Sequence, residues 1–86
     1  MMSLAESALQ DIQVGEKEGF HRYIKRDPMG VVFVVPAWNY PYLIAVNSIV
    51  PGLLAGNAIV LKHSAQTPLV AERFAEAFAL AGLPDG

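Results

Sequence analysis

Five side chains stand out in a stretch that is otherwise nearly featureless: Trp38, Asn39, Lys62, His63 and Ser64. Asn39 carries an amide N–H that could donate to an oxygen on which negative charge develops, a common catalytic device. An asparagine beside a proline-led segment could equally bond its own backbone in a turn. Lys62 could reach a ribose hydroxyl or a phosphate as a flexible point charge, or stand solvated at the edge of a sheet. Trp38 could wall a ligand pocket or cap a core. His63 and Ser64 are adjacent, so an extended backbone points them to opposite sides and they make a poor catalytic dyad. The two histidines, His21 and His63, are not at metal-ligand spacing. There is no cysteine, which excludes thiolate catalysis, disulfides and Cys-type zinc sites within these residues. No metal site is expected.

The elements that must position these side chains are readable from pattern. Residues 31–35 are four valines and a phenylalanine. Such a run predicts a strand buried on both faces. Pro36 ends it, because proline lacks the donor that a central ladder needs. Residues 41–54 predict a helix with Pro41 in the first turn, where a missing N–H costs nothing. Pro51 should kink it or tighten its last turn, and Gly56 is a natural C-terminal cap. Residues 58–61 predict a second short apolar strand. Thr67 and Pro68 should open a last helix as N-cap and first helical residue. Phe74, Ala77, Phe78 and Ala81 form its core-facing stripe, and Gly82 and Pro84 stop it.

Strand, helix, strand, helix predicts two adjacent parallel strands with a right-handed crossover. The expected fold class is therefore α/β: a β-α-β-α unit, the opening half of a doubly wound domain. Ligands of such sheets bind outside the carboxyl ends of the strands. That edge is occupied here by residues 36–41 and 62–67. No G-x-G-x-x-G lies between the first strand and its helix, so the usual dinucleotide fingerprint is missing. Ahead of this unit, residues 3–12 predict a short helix with Ser3 as N-cap and Glu6 at capping-box spacing. Residues 13–19 read as a loop and 20–26 as an edge strand. The expected division is 1–27, leading in, and 28–86, the α/β part.

Composition sets outer limits. The chain has 86 residues, 53% of them hydrophobic and only 16% charged, against a usual ~25% charged. A small, apolar-rich chain without staples implies surface that something else covers. A net charge of −2 gives no basic footprint, so nucleic acid is not an expected partner. The charge-free gap between Asp27 and Lys62 could be read as a membrane span. Pro36, Pro41 and Pro51 break it, and neither half offers 18 clean apolar residues. The N-terminus does not read as a signal peptide.

Taken in order, Trp38-Asn39-Tyr40-Pro41, Leu53-Leu54-Ala55-Gly56-Asn57, Leu61-Lys62, Gln66-Thr67-Pro68-Leu69 and Ala81-Gly82-Leu83-Pro84 resemble the aldehyde dehydrogenase superfamily. The resemblance runs from about Pro28 to the C-terminus. Any one piece is weak, but the ordered set is specific. It implies a Rossmann-like cofactor-binding domain and oxidation of an aldehyde substrate with NAD or NADP. It implies that Asn39 is the oxyanion-hole amide. Val35, Pro36, Ala37 and Trp38 would line the cofactor and active-site cleft. Lys62 would meet the adenosine ribose, flanked by Ser64 and Ala65. Residues 20–26 would lead in from strands used for subunit assembly.

The implied partners are the remainder of the enzyme chain and further copies in a homo-oligomer, and the expected setting is the cytoplasm. The family's catalytic cysteine and glutamate lie farther downstream, so these 86 residues are expected to be inactive alone. Ala65 stands where many NAD-preferring members carry a glutamate, which leaves NADP use open. Pro36-Ala37 departs from the commoner order, in which proline immediately precedes the tryptophan. The other reading is a truncated βα module with a binding or assembly role.

Overall fold

A computed structural model describes residues 2–84; Met1, Asp85 and Gly86, and with them the outer bounds of the divisions 1–27 and 28–86, lie outside the described residues. After a 3-10 turn at Met2–Leu4 come α1 (Ala5–Leu9), β1 (Ile12–Gln13), β2 (Tyr23–Ile24), β3 (Val31–Val34), α2 (Pro41–Leu54), β4 (Ala58–Leu61) and α3 (Val70–Leu80). β1 and β2 pair antiparallel, and β3 and β4 pair parallel, as two separate two-stranded sheets. The α/β class and the parallel pair are as the sequence predicts.

The β3–β4 register sets Val31 beside Ala58, Val32 beside Ile59, Phe33 beside Val60 and Val34 beside Leu61. Side chains alternate across a strand, so Val32, Val34, Ile59 and Leu61 share one face. That face packs on Ala45 and Ile49 of α2, with Leu53, Phe74 and Phe78 at the margin. The other face carries Val31, Phe33 and Val60, all exposed. The expectation of a strand buried on both faces is therefore corrected: helices cover one side only. A valine run reports that a strand is apolar on both faces, not that both faces have partners among these residues. The accessible surface is 6705 Å², against about 5,000 Å² for a compact monomer of this mass. The radius of gyration is 16.7 Å, against about 12 Å for a compact 86-residue domain.

α2 has the predicted bounds and runs through Pro51. Gly56 closes it at φ 83°, where its N–H reaches the Leu53 carbonyl and the Asn57 N–H the Gly52 carbonyl. This is the double bond pattern of a glycine-terminated helix. α3 ends the same way at Gly82, with Leu83 N–H on the Phe78 carbonyl at 2.9 Å. Its start differs from the expected cap. Thr67 and Pro68 lie in a turn, closed by Val70 N–H on the Thr67 carbonyl at 3.3 Å, and the helix begins at Val70 with Leu69 before it. Its buried side is Val70, with Phe74 and Phe78 half-buried, whereas Ala77 and Ala81 are exposed.

The N-terminal segment departs further. The helix expected over 3–12 shrinks to α1, and Ser3 falls in the 3-10 turn. Asp11 instead accepts the Arg26 N–H at 3.1 Å, which draws the following residues into pairing with β2. The edge strand expected over 20–26 is only Tyr23–Ile24. The loop expected over 13–19 contributes Gln13 to β1. It then bends back at Lys17–Phe20, where the Lys17 ammonium lies 5.0 Å from the Phe20 ring centre.

A Cβ on Gly56 would sit 2.9 Å from Pro28 Cγ, and the left-handed backbone there adds strain. Gly56→Ala is expected to lower the free energy of urea unfolding by about 1–2 kcal/mol. Gly15→Ala, which meets nothing within 4 Å, is expected to be neutral or to stabilise by about 0.4–1 kcal/mol.

Candidate functional site

The two strands of the parallel pair end side by side. The Lys62 N–H donates to the Val34 carbonyl at 2.9 Å, one residue beyond the end of β4. Val35 and Lys62 therefore leave the sheet at neighbouring positions. Val35 is exposed and Pro36, which follows it, is buried. Ala37 and Trp38 are exposed, and residues 38–40 bend into α2. Tyr40 is the N-cap residue without a side-chain cap bond, and its carbonyl accepts the Ile44 N–H at 2.9 Å. Asn39 is exposed one residue outside the cap. That position lies beside free N–H groups of a first turn and the positive end of the helix dipole. An oxygen that gains negative charge there is favoured by both.

The second segment is a tight turn. Ser64 accepts the Thr67 N–H on its carbonyl at 3.0 Å and the Gln66 N–H on its hydroxyl at 3.3 Å. As acceptor in the turn, the hydroxyl keeps its own proton free to donate. Ala65 is exposed in this turn, and His63 and Ser64 are half-buried. The Lys62 ammonium rests on the His63 carbonyl at 3.3 Å. An ammonium has three donors, so two remain for other groups. The structure thus brings the carboxyl ends of β3 and β4 together as predicted, with Val35 and Lys62 as the adjoining residues.

Asn57 entered the sequence reading only as part of a motif, with no role of its own, yet its side chain makes three hydrogen bonds. Its Oδ1 accepts the N–H groups of Met29 at 2.7 Å and Gly30 at 3.0 Å, and its Nδ2 donates to the Gly52 carbonyl at 3.0 Å. The available signal was its isolation. It is the one polar side chain between Ser48 and Lys62, and a half-buried amide in apolar surroundings must find partners.

A cleft lies elsewhere. About 750 Å³ opens between Ile49 and Leu53 of α2, Ile59 and Leu61 of β4, and Phe74 and Phe78 of α3. Its walls are the same residues that pack the core. It is the space left where α3 sits loosely over α2 and β4, and none of the carboxyl-edge residues 35–39 lines it. The strand ends and the start of α2 lie at the other edge.

The sequence profile described as the aldehyde dehydrogenase family matches residues 1–86. The chain belongs to the aldehyde dehydrogenase family. Family membership makes it an oxidoreductase segment, and the match includes residues 1–27, ahead of the ordered motifs. No solved structure gives a significant match. Among the described residues no helix is long and apolar enough to cross a membrane.

Trp38 is the single tryptophan and is 58% exposed. Iodide is expected to quench most of its fluorescence; emission shielded from iodide would show that another part of the protein covers this edge.

Proposed function

We propose that this chain forms the opening part of the cofactor-binding domain of an NAD(P)-dependent aldehyde dehydrogenase that converts aldehydes to carboxylic acids. Residues 28–86 carry the site and residues 1–27 lead into it. The observation that supports this reading is the Lys62–Val34 rung: it sets the two functional segments side by side at the carboxyl edge of a parallel pair, where such sheets bind ligands.

The donor set suits a dinucleotide. Ribose hydroxyls both donate and accept, and they would meet the Lys62 ammonium and the Ser64 hydroxyl. The exposed Ala65 leaves room beside them for a 2′-phosphate and brings no opposing charge. Val35, Pro36, Ala37 and Trp38 form the apolar wall on the other side of the edge. The cofactor, when bound, supplies the hydride acceptor.

Asn39 acts on the aldehyde. Addition of a nucleophile to the carbonyl carbon leaves its oxygen negative, and the Asn39 amide N–H donates to that oxygen. The positive end of α2 adds to the same effect. These 86 residues contain no cysteine, so the nucleophile comes from other residues of the enzyme, and the chain by itself turns over no aldehyde. Its partners are the remaining enzyme chain and further copies in an oligomer.

In an active enzyme carrying this segment, Asn39→Ala is expected to lower kcat by about 10²–10³, the usual cost of one oxyanion donor. Cofactor affinity should change much less. An unaltered kcat would return Asn39 to the role of a turn residue.

The cofactor preference turns on Lys62 and Ala65. An ammonium gains more from an anionic phosphate than from a hydroxyl, because charge-assisted bonds are roughly twice as strong. The enzyme is therefore expected to accept NADP, and Ala65→Glu to shift preference toward NAD by about tenfold or more, roughly 1.4 kcal/mol. The measurement is kcat/KM with both cofactors; strict NAD use, or an unchanged ratio on substitution, would contradict it.

A further inference from the structure

The groups proposed for chemistry sit at the carboxyl ends of β3 and β4, but a side chain fastens the strands at their other end. Asn57 Oδ1 holds the N–H groups of Met29 and Gly30, which lead into β3. Its Nδ2 holds the Gly52 carbonyl in the last turn of α2. Its own backbone opens β4. Next to it, the Ala58 N–H donates to the Gly30 carbonyl at 2.8 Å, the first rung of the parallel pair. One amide thus joins β3, α2 and β4 at a single point.

This is more than a helix cap. The end of α2 is already closed by the Gly56 and Asn57 backbone N–H groups. The Oδ1 bonds reach residues 27 and 28 positions earlier in the chain. They spend the amide on a link between elements. The distance to the functional edge makes that link matter. Four paired residues separate Asn57 from Lys62, about 13 Å of strand. Over that length, a tilt of about 5° between the strands moves the far end by about 1 Å. A misplacement of ~1 Å at an active site costs on the order of 10²-fold in rate.

We propose that Asn57 is a positioning residue: it holds β3, α2 and β4 together so that Lys62 and Asn39 keep their separation at the opposite end of the sheet. The proposal rests on the reading of Lys62 and Asn39 given above. The two halves of the amide have different consequences. The Oδ1 contacts fix β3 against β4, and so govern Lys62 relative to the wall formed by residues 35–38. The Nδ2 contact is a second bond on the Gly52 carbonyl that the Asn57 N–H already holds, and it adds to the hold on the end of α2, the helix that begins beside Asn39.

The test uses an active enzyme carrying this segment, with active sites counted by burst titration so that unfolded molecules do not enter the rates. Asn57→Ala is expected to raise KM for the dinucleotide about tenfold and to lower kcat. Asn57→Asp keeps both acceptor contacts and loses the donation to Gly52. It should hold that KM within about threefold while kcat falls more. A role in stability alone lowers the number of active molecules and the melting temperature and leaves KM unchanged in both variants; that result would overturn the proposal.

Lys62→Ala, measured in parallel, separates the two readings. If it leaves KM unchanged, the cofactor role of Lys62 fails, and amide hydrogen exchange decides the role of Asn57. Asn57→Ala should then speed exchange at the Lys62 N–H more than at the Ala45 and Ile49 N–H groups of α2. Equal acceleration at all three sinks it. Where the alanine variant does not fold, Asn57→Asp carries the test: a KM rise larger than its kcat loss overturns the assignment.

Discussion

Two parallel strands cannot be joined by a tight turn. Their connection must travel back the length of the sheet, which takes a crossover of a dozen or more residues. This requirement organises the whole α/β part. α2 is the crossover, and because it must lie on the sheet it also covers Val32, Val34, Ile59 and Leu61. The register then places both strand ends at one level, where Lys62 N–H meets the Val34 carbonyl. The edge at which residues 35 and 62 leave the sheet side by side is a by-product of connecting parallel neighbours.

Close approach of helix and sheet needs small residues on the helix. Ala45 is fully buried against the strands. A Cβ on Gly52 would stand 2.7 Å from Ile59 Cδ1, so the strand side chain occupies space that any other residue would fill. Pro51, beside it, is exposed, which explains why a proline in the helix does no harm to packing. The same shortness of contact lets Asn57, just past the helix end, reach both the Gly52 carbonyl and the entry to β3.

Much of this was legible from residue order. Pro41 and Gly56 marked α2 well, because each acts through backbone geometry that needs no neighbour. The apolar run 58–61 marked β4 for a similar reason. Burial was less legible. The valines of β3 are apolar on both faces, but burial depends on what lies opposite, and for Phe33 nothing does among the described residues. Thr67 and Pro68 look like a helix start because their local preferences fit one; the turn that closes on Val70 N–H holds them outside it. β1 and β2 are two residues each, held by Asp11 and one short register, and no periodicity can be read from two residues. At the edge, residue types located the two segments, while the order of motifs, not their chemistry, favoured a catalytic role for Asn39 and a cofactor-binding role for Lys62. Asn57 was legible only as a motif member, because the partners of its Oδ1 lie 27 and 28 residues away in sequence.

The one-sided sheet has a consequence for biosynthesis. Paired residues of β3 and β4 lie 27 positions apart, and closing a loop of that length costs about 3 kcal/mol of chain entropy. α2 fills most of that separation, so helix formation draws the strands together. Pairing across that separation is still non-local, and parallel strands pair slowly. The pair presents Val31, Phe33 and Val60 to water, and each of its two strands has an unpaired edge. Apolar faces with open edges are templates for pairing with another chain. The rate at which this bare face is covered therefore competes with the rate of aggregation.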